Sequence, residues 1–116
     1  MRISNVALLS IVSLACGACG ATIPPPNDEW AAAQADVGAA NAGGAPAVPD
    51  AKLHLQLSQE DLQKSKALID QDNARAASLI AVARVEAQLA LKLAKASQAA
   101  DDVRQAQQDL QKAKGN

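Results

Sequence analysis

From Ala74 to about Lys112 the chain contains neither glycine nor proline. An Ala-rich stretch of that length without a breaker reads as one continuous helix, because alanine is the strongest helix former and nothing here stops the propagation. The rest of the chain must pack against this helix, and composition limits how. Hydrophobic residues make up 49% of the sequence, but alanine supplies the largest share, Phe and Tyr are absent, and Trp30 is the sole aromatic. Alanine buries little apolar area, and aromatics normally carry much of a core. A chain of 116 residues holds at most one small domain. The expected fold is all-α: thin helices held close together through small side chains.

The first 18 residues read as a signal peptide. Arg2 supplies a short positive region and Val6 to Ala15 an apolar run. That run is about ten residues, well short of the roughly 20 that a membrane-spanning helix needs. The small residues and cysteines that follow, from Ala15 to Gly20, resemble the lipobox of bacterial lipoproteins. That resemblance implies a diacylglyceryl group on a thiol, cleavage before it, and acylation of the new amino group with a palmitate-type chain. Cys19 is the expected lipid-bearing residue and Cys16 the alternative. Choosing Cys19 removes Cys16 with the leader and leaves no stray thiol in an oxidising compartment. Neither cysteine has the leucine usual three positions earlier: Cys16 stands before Cys19, and Ser13 before Cys16. Glycine follows both, and the Asp that marks inner-membrane retention in Gram-negative lipoproteins is absent from that position. The implied place is the outer membrane, facing the periplasm.

Residues 19–27 then read as the lipidated cysteine and a Pro-rich tether. Pro24, Pro25 and Pro26 favour an extended, semi-rigid spacer. Asn27 is the expected N-cap of a short helix over 28–42, with Asp28 and Glu29 complementing its positive end. Trp30 and Val37, seven apart, share one face. Gly43, Gly44 and Pro46 place a loop over 43–48. A helical hairpin is expected over 49–114: a helix from Pro49 to near Ile69, a turn at Gln71 to Asn73, and the long helix from Ala74, partly protruding at its C-terminal end. Leu53 to Leu57 alternates as a strand would, but has no partner strand and no β-branched enrichment. A later start, with Ser58 and Asp61 as a capping box, is the rival placement.

Along the long helix, Leu79, Val82, Leu89, Leu93, Ala96, Ala100, Val103 and Leu110 follow 3-4 spacing, interrupted by Glu86 and Gln107. This is close to a coiled-coil seam. It is expected to pack on the preceding helix over its first half and to be solvated beyond Gln98. Its larger members Leu79, Val82, Leu89, Leu93, Val103 and Leu110 are also the candidate residues for binding a helical partner or for self-association.

The helical region is similar to a family of small Gram-negative lipoproteins that carry an Ala-rich domain of unknown function, numbered 4398. The resemblance rests on Leu53-His54-Leu55-Gln56-Leu57, on Lys64 to Ile69, on the turn from Asp70 to Ala76, and on Ala83-Arg84-Val85-Glu86-Ala87-Gln88-Leu89-Ala90. Asp72-Asn73 stands where the family turn usually contains glycine. The resemblance implies a tetratricopeptide-like hairpin on a lipid anchor and no assigned catalytic residues.

Chemistry is sparse in the remaining sequence. His54 is the only histidine, with no second histidine or nearby cysteine to complete a metal set. Asp70-Gln71-Asp72 opens like a calcium loop, but Ala74, Arg75 and Ala81 occupy the positions that need an oxygen ligand, glycine and glutamate. Asp101 and Asp102 point about 100° apart on a helix and read as a solvated face. No phosphate loop, dinucleotide turn or nucleophile elbow occurs. Eleven basic residues against 12 acidic ones leave no basic footprint for nucleic acid. The expectation is a non-enzymatic structural or adaptor lipoprotein with no cofactor, no metal and no evident small-molecule substrate. The rival is a periplasmic module that captures peptide or polymer in a groove lined by Leu55, Leu62, Leu79 and Leu89.

Overall fold

The computed structural model describes residues 22–115. The leader, Cys16 and Cys19 lie outside the described residues. Those described form three α-helices, a 3-10 turn and no strand: α1 over Asn27–Ala42, the 3-10 turn over Ala45–Ala47, α2 over Pro49–Leu68 and α3 over Asn73–Lys114. The protein is all-helical, as the breaker-free stretch required.

Helix ends differ from expectation in instructive ways. Asn27 does not cap α1; it is the first helical residue. The buried Pro26 holds the cap position, and its carbonyl accepts from the Trp30 N–H at 3.0 Å. At the other end two glycines serve different needs. A side chain at Gly43 would run into Leu91 of α3. Gly44 adopts a left-handed conformation, φ +89°, which residues with a Cβ avoid. Pro49 at the first position and Asp50 in the first turn start α2, since the missing N–H of proline costs nothing there. The helix runs unbroken through Leu53 to Leu57 and past Ser58, so the later start is not adopted.

The α2–α3 turn begins two residues and ends one residue earlier than expected, so Asn73 already belongs to α3. Its left-handed residue is Asp70, φ 69°. Aspartate tolerates that region better than most side chains. The Asn73 side-chain oxygen accepts from the Asp70 N–H at 2.8 Å, and the Asp72 carboxylate caps α3 by accepting from the Arg75 N–H at 3.0 Å.

The seam between α2 and α3 is not the one expected. On α3 the buried residues are Ala76, Ile80, Ala83, Ala87, Ala90 and Ala94. They repeat at 4-3 spacing, but on a face rotated from Leu79 and Val82. Facing them on α2 are Ala51, Leu55, Ser58, Leu62 and Ser65, again at 4-3 spacing. Small residues win this position because they let two backbones come close. The measure of that closeness is Ser58: its hydroxyl donates 2.7 Å to the main-chain carbonyl of Ala83 across the interface. The Ser65 hydroxyl, also fully buried, donates back to the Leu62 carbonyl at 2.8 Å. Both buried hydroxyls are thereby satisfied, which keeps their burial from being a penalty.

Helix α1 lies along both other helices. Its buried Ala33 and Ala40 alternate with the half-buried Trp30 and Val37, the shared face read from their spacing. One core cluster joins Ala33, Leu62, Ile80 and Ala83; the other joins Ala40, Ala45, Ala51, Leu55, Ala90 and Ala94. Leu55, Leu62 and Ile80 are the only large side chains buried among the described residues.

A core this thin should tolerate added bulk poorly. Ala87→Leu is expected to destabilise the fold by about 1–3 kcal/mol through overpacking. Val85→Leu, on the exposed side of the same helix, should change stability by less than about 0.5 kcal/mol. Thermal melts followed by circular dichroism separate the two; equal melting would contradict the close seam.

Candidate interaction surface

The α2–α3 hairpin has two sides. On one, α1 is seated. Arg84 of α3 pairs with Asp36 of α1 at 2.9 Å, Gln88 donates to the same carboxylate at 3.3 Å, and Gln98 donates to the Gly43 carbonyl at 3.1 Å. On the other side no described element covers the hairpin. There His54 of α2 donates through Nδ1 to the Glu86 carboxylate of α3 at 2.5 Å, with both side chains about one-quarter exposed. This pair bridges the two helices above their seam. Around it stand Leu53 and Leu57 from α2 and Val82 and Leu89 from α3, all exposed.

The 3-4 stripe recognised in the sequence therefore lies along one face, broken at Glu86 and Gln107, and it is the neighbour of the buried seam rather than the seam. Val82 is 47% exposed, Leu89 37%, Val103 57% and Leu110 55%. Leu79 and Leu93 are half-buried at its edge, and Leu93 also touches the core. The expected intramolecular packing of this stripe is thus corrected, because alanines and Ile80 occupy the contact. Past Gln98 every described residue of α3 is exposed. Helix α3 has 42 residues and α2 only 20, so the hairpin partner runs out halfway along. The tail carries only local pairs, such as Arg104 with Asp101 and Lys112 with Asp109.

Two further features were not visible in the sequence, because both depend on how distant segments pack. The first is a cleft of about 430 Å³ between α1 and α2, floored by Trp30, Val37 and Leu62 and edged by Gln34, Gln59, Gln63 and Lys66. The Trp30 indole N–H donates to the Leu62 carbonyl at 3.3 Å, and the Lys66 ammonium stands 5.2 Å from the ring centroid, within cation–π range. The groove expected from Leu55, Leu62, Leu79 and Leu89 is a different matter: Leu55 and Leu62 are 4% and 6% exposed, inside the core. The second feature is where the chain enters. The Asn73 side-chain amide donates to the Ile23 carbonyl at 2.8 Å. The described end of the tether is therefore held against the turn end of the hairpin and is not a free spacer.

Among the described residues no cluster of three metal-binding side chains occurs, and no helix is long and apolar enough to cross a membrane. Comparison with family models, with curated proteins and with solved structures finds no match for this chain.

Trp30, the sole tryptophan, reports directly on the α1–α2 cleft. Leu62→Ala is expected to cost about 2–5 kcal/mol, removing the cleft floor and leaving a cavity. Lys66→Ala should cost only about 0.5–1 kcal/mol, the range of an exposed cation–π contact. Denaturation followed by Trp30 emission measures both, and a Lys66 variant as damaging as the Leu62 variant would contradict this reading of the cleft.

Proposed function

We propose that this chain is a lipid-anchored protein of the bacterial cell envelope whose helical body serves as a structural or adaptor element rather than an enzyme. The anchor in this reading is Cys19, with Cys16 as the alternative, and the placement is the periplasmic face of the outer membrane. It is supported by the apolar run that is too short to span a bilayer and by the small-residue stretch around the cysteines. More than one acyl chain gives stable attachment, whereas one is marginal. The likeness to the Ala-rich lipoprotein domain is consistent with this reading and belongs to the same proposal.

The observation that carries the adaptor role is the uncovered stripe of α3. Val82, Leu89, Val103 and Leu110 lie on one helical face and have no cover among the described residues. A soluble helix does not ordinarily leave an apolar stripe bare over such a length, and contiguous exposed apolar surface marks an interaction site. Because Ile23 is held at the turn end, the tail of α3 extends away from the attachment end. The ionisable pair on this face, His54 with Glu86, is spent on bridging α2 and α3.

A second reading, capture of peptide or envelope polymer, is favoured by one observation: the Trp30 cleft joins an aromatic floor to three amide side chains and one cation. The tetratricopeptide-like description of the hairpin would belong to it. Emission of Trp30 titrated with peptidoglycan fragments tests it, and an unchanged spectrum at millimolar ligand counts against it.

For the anchor, Cys19→Ala is expected to move the protein from the membrane fraction to the soluble fraction or to arrest its processing, and intact mass should show acyl chains on Cys19 of the unmutated protein. A Cys19→Ala protein that remains fully in the membrane fraction, with no acyl mass on Cys16, contradicts the proposal.

A further inference from the structure

We infer that α3 pairs antiparallel with α3 of a second copy of this chain, along the stripe from Leu79 to Leu110. This deepens the adaptor reading and rests on it: the partner that covers the open face is the same protein.

Three observations select that occupant. The first is extent. The stripe spans 31 residues, about 47 Å at 1.5 Å per residue, and a helix contact about 10 Å wide gives a footprint of roughly 470 Å² on each copy. The total, roughly 900 Å², approaches the ~1,000 Å² at which specific interfaces begin. Leu53 and Leu57 of α2, exposed on the same side of the hairpin, extend it further.

The second is the gradient of side-chain size. The hairpin half of the stripe holds the large residues Leu79, Val82, Leu89 and Leu93, whereas the tail half begins with Ala96 and Ala100. A parallel pair would set leucine on leucine and alanine on alanine, overfilled at one end and hollow at the other. An antiparallel pair places Leu93 on Ala96 of the second copy and Leu89 on Ala100, so large meets small in the four central layers, as close packing favours. The same register puts Leu79 against Leu110 and closes by a two-fold axis, covering both stripes at once.

The third is charge. In a parallel pair Glu86 would face Glu86 in an apolar layer, and like charges set directly opposite repel. In the antiparallel register Glu86 faces Val103, and its carboxylate keeps its bond to His54. Gln107 then faces Val82. The bare tail past Gln98, about 17 residues, is near the length at which an isolated helix is marginal in water. Pairing lays each tail along the hairpin of the other copy.

The test uses the full chain extracted from membranes in mild detergent, as a mixture of isotopically light and heavy protein, with a photoreactive residue at position 100. The expected product joins position 100 of one copy to the tryptic peptide Val85–Lys92 of the other in mixed-isotope pairs. Position 100 lies about 16 Å along the helix from Leu89 of its own copy, too far for a crosslink within one chain. Leu89→Asp, which alters an exposed residue, should lower the yield by about tenfold or more, since placing a charge in an apolar layer costs over 1.4 kcal/mol. Ala81→Asp, also exposed but off the stripe, should leave the yield unchanged. Products joining position 100 to the peptide Ala96–Arg104 of another copy overturn the register. Products with a different protein only, or none at all, overturn self-pairing, as does equal loss in both variants. Anchoring is read separately from sedimentation with membranes: a membrane-bound monomer overturns the pairing alone, and a soluble dimer overturns the anchor alone.

Discussion

The hydroxyl of Ser58 reaching the backbone carbonyl of Ala83 is possible only because two helices approach until side chain meets main chain. That approach is what the rest of the molecule depends on. With three large apolar side chains buried among the described residues, area alone gives little cohesion, and the fold relies on dense contact between small groups. Alanine at Ala76, Ala83, Ala87, Ala90 and Ala94 makes that contact and also supports the helix it sits in. Local propensity and tertiary packing therefore favour the same residue at the same positions, a consistency that marks sequences able to specify one structure.

Helix α1 makes the thin hairpin a bundle. It adds Trp30 and Val37 to one cluster, fixes its depth through Asp36 on Arg84 and Gln88, and leaves through two glycines where a side chain would meet Leu91 and Gln98 of α3. The result is asymmetric: one side of the hairpin is occupied, and the other presents Leu57, Val82 and Leu89 around the His54–Glu86 pair. The uncovered face arises from that asymmetry, because α1 is seated on one side of the hairpin and leaves the other open.

Much of the fold was legible beforehand. The absence of breakers from Ala74 onward, the glycines at 43 and 44, and Pro49 placed the elements to within a few residues, since backbone restrictions act locally. The seam was misplaced for a physical reason. Hydrophobicity alone favours Leu79 and Val82 over Ala83 and Ala87, but closeness of approach favours the smaller residues, and a one-residue shift rotates the face by about 100°. The residues of that stripe are exposed or half-buried beside the seam instead of packed within it. Ser58 and Ser65 could not be read as core, because their burial depends on carbonyls that folding brings near. The Trp30 cleft and the seat of Ile23 on Asn73 were likewise invisible, since each joins segments more than 30 residues apart.

The hold of Asn73 on Ile23 fixes where the first described residues of each chain lie relative to its long helix. In an antiparallel pair the two starting points fall at opposite ends of a rod, about 65 Å apart at helical rise. Were each copy acylated at Cys19 as proposed, anchors so spaced would not stand the rod upright on one leaflet. The assembly would instead rest lengthwise, a bar stapled to the lipid at both ends. Such a bar would resist rotation out of the bilayer plane and would set a fixed lateral distance between its attachment points, in the way a ruler does.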